Sequence, residues 1–398
     1  TGPAYERQKN LGAQFGQVNG WERPNYYGPV GASEDFDIKS RSFRRGPWWQ
    51  YAVEEAKAVR NGVGLIDATA FTKHILKGPG ATNFLNWFTC NRLPKVGRIN
   101  LTYALTNHGT TRTEYTIVRN AEDSYYLVSA GAWSSYDADY LRKAAADKVE
   151  EFGYVEIHDV TSQWGVFALA GPKSRDLLKE IINDADVETV LSNKRFPWLS
   201  KKEIEIGMCP VNAIRVAYTG ELGWELHHPI EMQNYLWDRL LLAGSNYGLK
   251  LVGARAQNWL RQEKSYRAFG TELGRDATPL EADLSRFIDQ EKDFFGKENM
   301  ENKGVRTKCV TLIINGPDDA DPWGREALYL ADGTKVGRLT SGGYSVVFGK
   351  SIGMGYVRPD LAIQGQKLKV KMFNSLWDVE VTCDSPYDPK NETIRKDG

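Results

Sequence analysis

The chain has 398 residues, with 51 Lys+Arg balanced by 51 Asp+Glu, 41% apolar and 26% charged residues. Zero formal net charge removes any general attraction to nucleic acid or to an anionic membrane surface, and no apolar run approaches the ~20 residues of a membrane helix. The length predicts two or three cores rather than one.

Residues 1–50 are polar, dotted with Gly and Pro, and aromatic; they read as an extended arm lying on a folded body. The N-terminus lacks an apolar signal core, and a cytoplasmic protein is expected, or one of the mitochondrial matrix in a eukaryote. Residues 50–62 have helical spacing, 63–67 reads as a buried strand, 71–77 as a second strand and 81–88 as a helix after Gly78-Pro79-Gly80. Residues 101–106 run through Asn107-His108-Gly109 into a strand at 114–119, and 124–129 alternates as a third. An amphipathic helix follows at 138–152, then strands at 155–160 and 164–170 and a helix at 174–182. Helical spacing returns at 254–269. After the charged stretch 291–305 come short strands at 309–315, 328–330, 344–347, 352–357, 368–373 and 377–382, the pattern of a small β-barrel. The organisation is therefore an arm (1–50), a first α+β lobe (51–153), a second (154–300), residues 53–300 together forming one body, and a barrel (306–398).

Cys90, Cys209, Cys309 and Cys383 lie about a hundred residues apart with no C-x-x-C pair, which fits isolated thiols in a reducing compartment and no metal site. His227 and His228 are adjacent; on a strand they would face opposite sides and could not share a metal, and a strand end at the surface is the plain reading. There is no G-x-G-x-x-G, no Walker lysine loop and no G-x-S-x-G, so neither flavin nor NAD is expected on this chain.

Three constellations could carry chemistry. Tyr218-Thr219-Gly220-Glu221-Leu222-Gly223-Trp224-Glu225-Leu226 puts two carboxylates and two flat rings around a glycine turn, where backbone could approach a ligand. A carboxylate accepts two adjacent N–H groups of an aminopyrimidine edge, and aromatic walls hold a fused ring. The same residues also read as a hairpin with solvated carboxylates. Trp259-Leu260-Arg261-Gln262-Glu263-Lys264, with Arg267, is either an intrahelical ion-pair ladder or part of a site. Thr113-Glu114-Tyr115 offers a carboxylate for proton transfer, or an ordinary edge-strand Glu.

Taken in order, these motifs resemble the glycine-cleavage T-protein (aminomethyltransferase) family, and within it the tetrahydrofolate-binding C-terminal half of dimethylglycine and sarcosine dehydrogenases. The resemblance rests on Phe43-Arg44-Arg45 with Trp49, Val63-Gly64-Leu65-Ile66-Asp67, Pro94-Lys95-Val96-Gly97, Ala170-Gly171-Pro172, Tyr218 to Leu226, Leu260-Arg261 with Glu263-Lys264, Pro279-Leu280-Glu281-Ala282, Phe295-Gly296-Lys297, Thr340-Ser341-Gly342-Gly343-Tyr344 and Gly355-Tyr356-Val357. Gly20-Trp21-Glu22-Arg23-Pro24 is similar to the linker before that half. The resemblance implies a three-domain, cloverleaf-like α+β fold with a C-terminal barrel and tetrahydrofolate in a central channel. It implies that Glu225 and Glu221 recognise the pterin edge, that Tyr218, Trp224, Tyr103 and Tyr115 shape the slot, and that Arg261 holds its helix or lines the channel. Where aminomethyltransferases carry an Asp-Asp pair, this chain has Thr113-Glu114, so Glu114 becomes the candidate catalytic carboxylate.

The implied activity is a tetrahydrofolate-dependent transfer of a methyl or methylene carbon, a demethylase or methyltransferase acting on a small methylated amine, sulfonium or aryl ether. Two alternatives stay open: a folate-binding subunit beside a flavoprotein amine oxidase or dehydrogenase, and a non-enzymatic folate-binding protein of the iron–sulfur assembly type. Because no dinucleotide fingerprint precedes residue 43, the chain alone is not expected to oxidise an amine.

Overall fold

The computed structural model describes residues 1–18, 20–32, 42–131 and 134–397. Two antiparallel-rich sheets face each other. The first has five strands in the order Ile99–Leu105, Thr111–Ala121, Ser124–Ser129, Thr72–Lys77, Glu156–Asp159, all antiparallel. The second has six: Lys201–Ile206, Cys209–Ile214, Gly223–Pro229, Trp164–Ala170, Gly64–Asp67 and Lys250–Leu251, the last pairing in parallel. The strand Gly64–Asp67 thus belongs to the second sheet although it precedes every strand of the first. The two lobes interleave, and a boundary at 153 does not separate them.

Each sheet packs its outer face on a pair of helices. Leu76, Tyr115, Ile117, Tyr125 and Leu127 of the first pack on the helices Ala81–Phe88 and Ser134–Asp147. Phe167, Leu169, Trp224 and Leu226 of the second pack on Ser174–Ile181 and Gln233–Gly244. Between the inner faces a third cluster joins Ile99, Val118, Tyr126 and Val128 to Ile214, with Trp164 and Val216 against it. The helices Trp48–Asn61 and Ala254–Glu263 cover another part of the second sheet's inner face through Ala52, Ala56, Val59, Ala256 and Leu260 on Ile66, Ala170 and Ala217. Alanines allow the backbones to approach closely there.

The C-terminal strands close into a six-stranded barrel with its own apolar core, including Leu312, Leu339, Val357 and Val370. The N-terminal arm is more structured than an extended chain: Tyr5–Asn10 is a helix, and Ala13–Val18 pairs with Trp21–Tyr27 as a hairpin. Tyr26 is fully buried, and Gln8 Nε2 reaches Asp67 at 2.7 Å. Residues 33–41 of the expected arm lie outside the described residues. No helix among those described is long and apolar enough to cross a membrane.

Candidate active site

The strand Gly223–Pro229 sorts its side chains by parity. Trp224, Leu226 and His228 face the helix-covered core, while Glu225 and His227 face inward, toward the first sheet. Glu225 borders a narrow cleft with Phe71, Ile66, Ala168, Val216, Tyr218 and Gln257. Its carboxylate is 13% exposed, and Oε2 stands 3.2 Å from His227 Nε2. Tyr218 borders the same cleft, donates its hydroxyl to the Arg267 carbonyl at 3.0 Å and stacks with Tyr266 at 6.0 Å. Burial raises its pKa above the usual phenol value.

Glu114 comes from the first sheet. Its strand is flanked on both sides, by Ile99–Leu105 and Ser124–Ser129, so this is an interior position rather than an edge. Tyr103 is its cross-strand partner, buried and hydrogen-bonded to it. Burial lifts the Glu114 carboxyl to about 7, against the opposing pull of the Tyr103 hydroxyl. Glu114 does not line the cleft itself; it acts electrostatically on Tyr218, which does. The structure therefore links Glu114 and Tyr103 to Tyr218, and Tyr218 shares a cleft with Glu225.

The other expected site residues lie elsewhere. Trp224 is fully buried in the second lobe's core, with the Arg175 and Arg215 guanidinium groups each 5.7 Å from its ring, so it does not wall the cleft. Tyr115, one residue out of phase with Glu114, packs into the first lobe's core. Glu221 has no exposure. Its Oε1 accepts from Arg60 at 2.7 Å and from the Tyr387 hydroxyl at 2.6 Å, while Arg60 also reaches Glu263 at 2.6 Å. That carboxylate is tied to protein groups through one oxygen and does not line the Glu225 cleft. The turn glycine follows the same logic: at Gly220 (φ +81°) a Cβ would fall 2.1 Å from the Lys264 side chain, so the close approach is to protein.

Arg261 is engaged by protein groups. It pairs with Glu272 at 2.7 Å and bonds Ser341 at 2.6 Å, tying the helix Ala254–Glu263 to the barrel. No intrahelical ion ladder forms, because Glu263 turns to Arg60 and Lys264 to the Asp388 carbonyl. His227 and His228 do face opposite sides of a strand, but neither is at the surface; both are fully buried.

Three features had no role in the sequence reading. His227 and Tyr126 were detectable only by parity, His227 standing two residues from Glu225. The third feature is a second cleft, of about 340 Å³, lined by Arg23, Arg255, Trp48, Trp323 and Asn258 among others. The Arg255 guanidinium lies 3.8 Å from the Trp48 ring centroid, and Arg23 has no carboxylate partner among the described residues. The helix Ala254–Glu263 lines both clefts, through Gln257 on one side and Arg255 and Asn258 on the other.

The cleft chemistry suits a flat, N–H-rich ring. Among the described residues Glu225 makes one hydrogen bond, and it keeps acceptor capacity toward the cleft. The space is small in this conformation, about 10 Å³, or the room of one water, so a bicyclic ring enters only by parting walls such as Phe71 and Gln257.

Comparison with known proteins places this architecture. The GCVT N-terminal domain model matches residues 4–292, and the glycine cleavage T-protein C-terminal barrel domain model matches 308–388. Dimethylglycine dehydrogenase of Rattus norvegicus is 34% identical over 95% of this chain, which spans 44% of that protein's length. A probable aminomethyltransferase of Thermococcus kodakarensis is 30% identical over 86% of the chain and 91% of its own. The crystal structure of glycine cleavage system aminomethyltransferase T from Bartonella henselae superposes with a TM-score of 0.81 at 22% identity, covering 99% of this chain and 98% of that one, which establishes the shared fold. With both domain models matched in order across nearly its whole length, the chain belongs to the glycine cleavage T-protein family of folate-dependent one-carbon-transfer proteins.

Proposed function

We propose that the chain transfers a one-carbon unit between a small methylated donor and tetrahydrofolate, with Glu225 gripping the pterin and Glu114 handling the proton. The observation that carries this reading is Glu225 itself: an inward carboxylate, clamped on one oxygen, at the edge of a cleft whose wall includes Tyr218. Tetrahydrofolate supplies the nitrogen that exchanges the carbon. Glu225 accepts two N–H bonds from the aminopyrimidine edge, and Tyr218 and Phe71 flank the ring. Once the ring has parted the cleft walls, Glu114, whose carboxyl titrates near 7 beside Tyr103, gives or takes a proton at the reacting nitrogen directly or through one water. The packed sheets around the cleft keep water from a reactive one-carbon intermediate. A folate's carboxylate tail is assigned to the neighbouring cleft, where Arg23 and Arg255 supply positive charge and Trp48 a flat surface.

A second reading draws on the dimethylglycine dehydrogenase likeness and on the chain's matching only part of that protein. Here the same site captures carbon released by amine oxidation on a flavoprotein partner. Calorimetry with tetrahydrofolate, followed by a donor screen read by mass spectrometry of the folate, tests both. Binding with a 5-methyl product from a methylated amine, sulfonium or aryl ether supports the transferase. Binding with a methylene product only when an amine oxidase is present supports the second reading. A flat calorimetric trace overturns both.

A further inference from the structure

Glu225 does not stand alone on its strand. His227, two residues on and therefore on the same face, places Nε2 3.2 Å from Glu225 Oε2. Its other ring nitrogen, Nδ1, lies 2.9 Å from the hydroxyl of Tyr126, and the two rings meet edge-on at 84°. Tyr126 comes from Ser124–Ser129 in the first sheet, whereas Glu225 and His227 belong to the second. His227 has no exposure, and Tyr126 is 8% exposed.

The direction of each proton follows from the chemistry of the three groups. A carboxylate only accepts, so the hydrogen shared with Glu225 sits on Nε2. Burial lowers the His227 pKa, against the opposing pull of Glu225. Lys73, the other charged group His227 feels, also disfavours protonation, and the ring is neutral near pH 7. A neutral ring protonated on Nε2 has a bare Nδ1, which must accept. Tyr126 then donates, and its own pKa is raised by burial, so it keeps that proton. The order is fixed: Tyr126 to His227 to Glu225.

We propose that His227, locked in its Nε2-protonated form by Tyr126, is a positioning residue for Glu225. It ties down Oε2 so that the remaining carboxylate lone pairs face the ligand's N–H edge, and it does so only when the two sheets are docked. A glutamate on a strand otherwise swings about its side-chain torsions, and every torsion frozen before binding is a cost removed from binding. This inference rests on the assignment of Glu225 as a ligand-binding carboxylate.

The test is a set of tetrahydrofolate titrations by calorimetry on the full chain. His227→Asn keeps a polar group near Nδ1 but cannot reach Glu225; its Kd is expected to rise about tenfold, the scale of one hydrogen bond to a charged group. His227→Gln, whose amide nitrogen reaches close to the Nε2 position, is expected to stay within threefold of the parent. Tyr126→Phe removes the tautomer lock and is expected to weaken binding about threefold. In a Glu225→Gln background, neither His227→Asn nor Tyr126→Phe should add a further penalty, because His227 acts through Glu225. If Glu225→Gln binds like the parent, the ligand-binding assignment itself falls. If Glu225→Gln weakens binding but His227→Asn does not, or the two penalties multiply in the double variant, the positioning role is overturned while Glu225 stands. Should His227→Asn fail to fold, Tyr126→Phe alone and in the Glu225→Gln background decides the matter: a penalty that persists there overturns the proposal.

Discussion

Burial raises the Glu114 carboxyl to about 7, because its charge loses water there and the Tyr103 hydroxyl offsets only part of that loss. A group poised there is half-protonated at neutral pH and can act in either direction. If it accepts a proton during transfer, kcat/KM rises with pH and levels off above about 7. Glu114→Gln should erase that limb and lower turnover about a hundredfold, with folate affinity little changed; a pH profile with the donor found in the screen checks it. The same carboxyl affects folding. Its folded pKa lies above its unfolded value, so between about 4.5 and 7 the native state binds more protons and stability falls as pH rises. Urea titrations should find Glu114→Gln gaining on the parent from pH 5 to pH 8. Glu225→Gln separates cleanly from this: it is expected to weaken folate binding by about 1–3 kcal/mol, because one acceptor at the ring edge becomes a donor.

Elements explain why some side chains were legible and others not. Strand and helix positions from 50 to 182 follow from apolar period alone, and the Tyr218–Leu226 motif marks the right strand. What the motif hides is parity: Trp224 and Glu225 cannot share a face, so aromatic content near a carboxylate overstated the cleft wall. Gly342-Gly343, just outside the strand expected at 344–347, lies within the strand Lys335–Ser345. The glycines are there because a Cβ would strike Pro322 at 2.2 Å or the Trp259 ring at 2.2 Å, so in this strand glycine marks close packing. The helix expected to run to 269 stops at Glu263, two residues before Ser265 adopts φ 55°. Its last turn and C-cap carry Arg261, Gln262, Glu263 and Lys264, and these polar residues reach other elements. Arg60 shows what such an element-to-element tie is worth. It is 6% exposed and sits between the fully buried carboxylates of Glu221 and Glu263. Arg60→Met strands two buried carboxylates, and a loss of about 3–5 kcal/mol in urea-induced unfolding is expected, with no folate-specific defect beyond it.

At the scale of the whole molecule, the barrel is fastened to the two-sheet body by buried polar groups as much as by apolar packing. Tyr356 donates its hydroxyl to the Glu272 carbonyl at 2.7 Å, Glu263 accepts from the Ser345 hydroxyl at 2.5 Å, and Arg267 pairs with Asp384 at 2.8 Å. None of these long-range partners has a local sequence signal, which is why Arg261 could be placed on a helix but not assigned a role. At the centre is Arg261 with Glu272. Burial alone would raise the Glu272 pKa, but Arg261 and the hydroxyls of Ser341 and Thr340 outweigh it and hold the carboxyl below its ordinary value. A folded pKa below the unfolded one contributes stability that is present above about pH 4.5 and is lost as the pH falls through the folded value. Arg261→Met reverses the balance: the carboxylate is left buried without its counter-ion. The variant should be about 3–5 kcal/mol less stable than the parent at pH 7. The gap should narrow as the pH falls toward about 4.5, because the stranded Glu272 takes up a proton in the variant while the parent keeps its ion pair until the pH passes its lowered folded value. A gap that stays constant between pH 7 and pH 4 would mean that the Arg261 side chain fastens the barrel by packing alone.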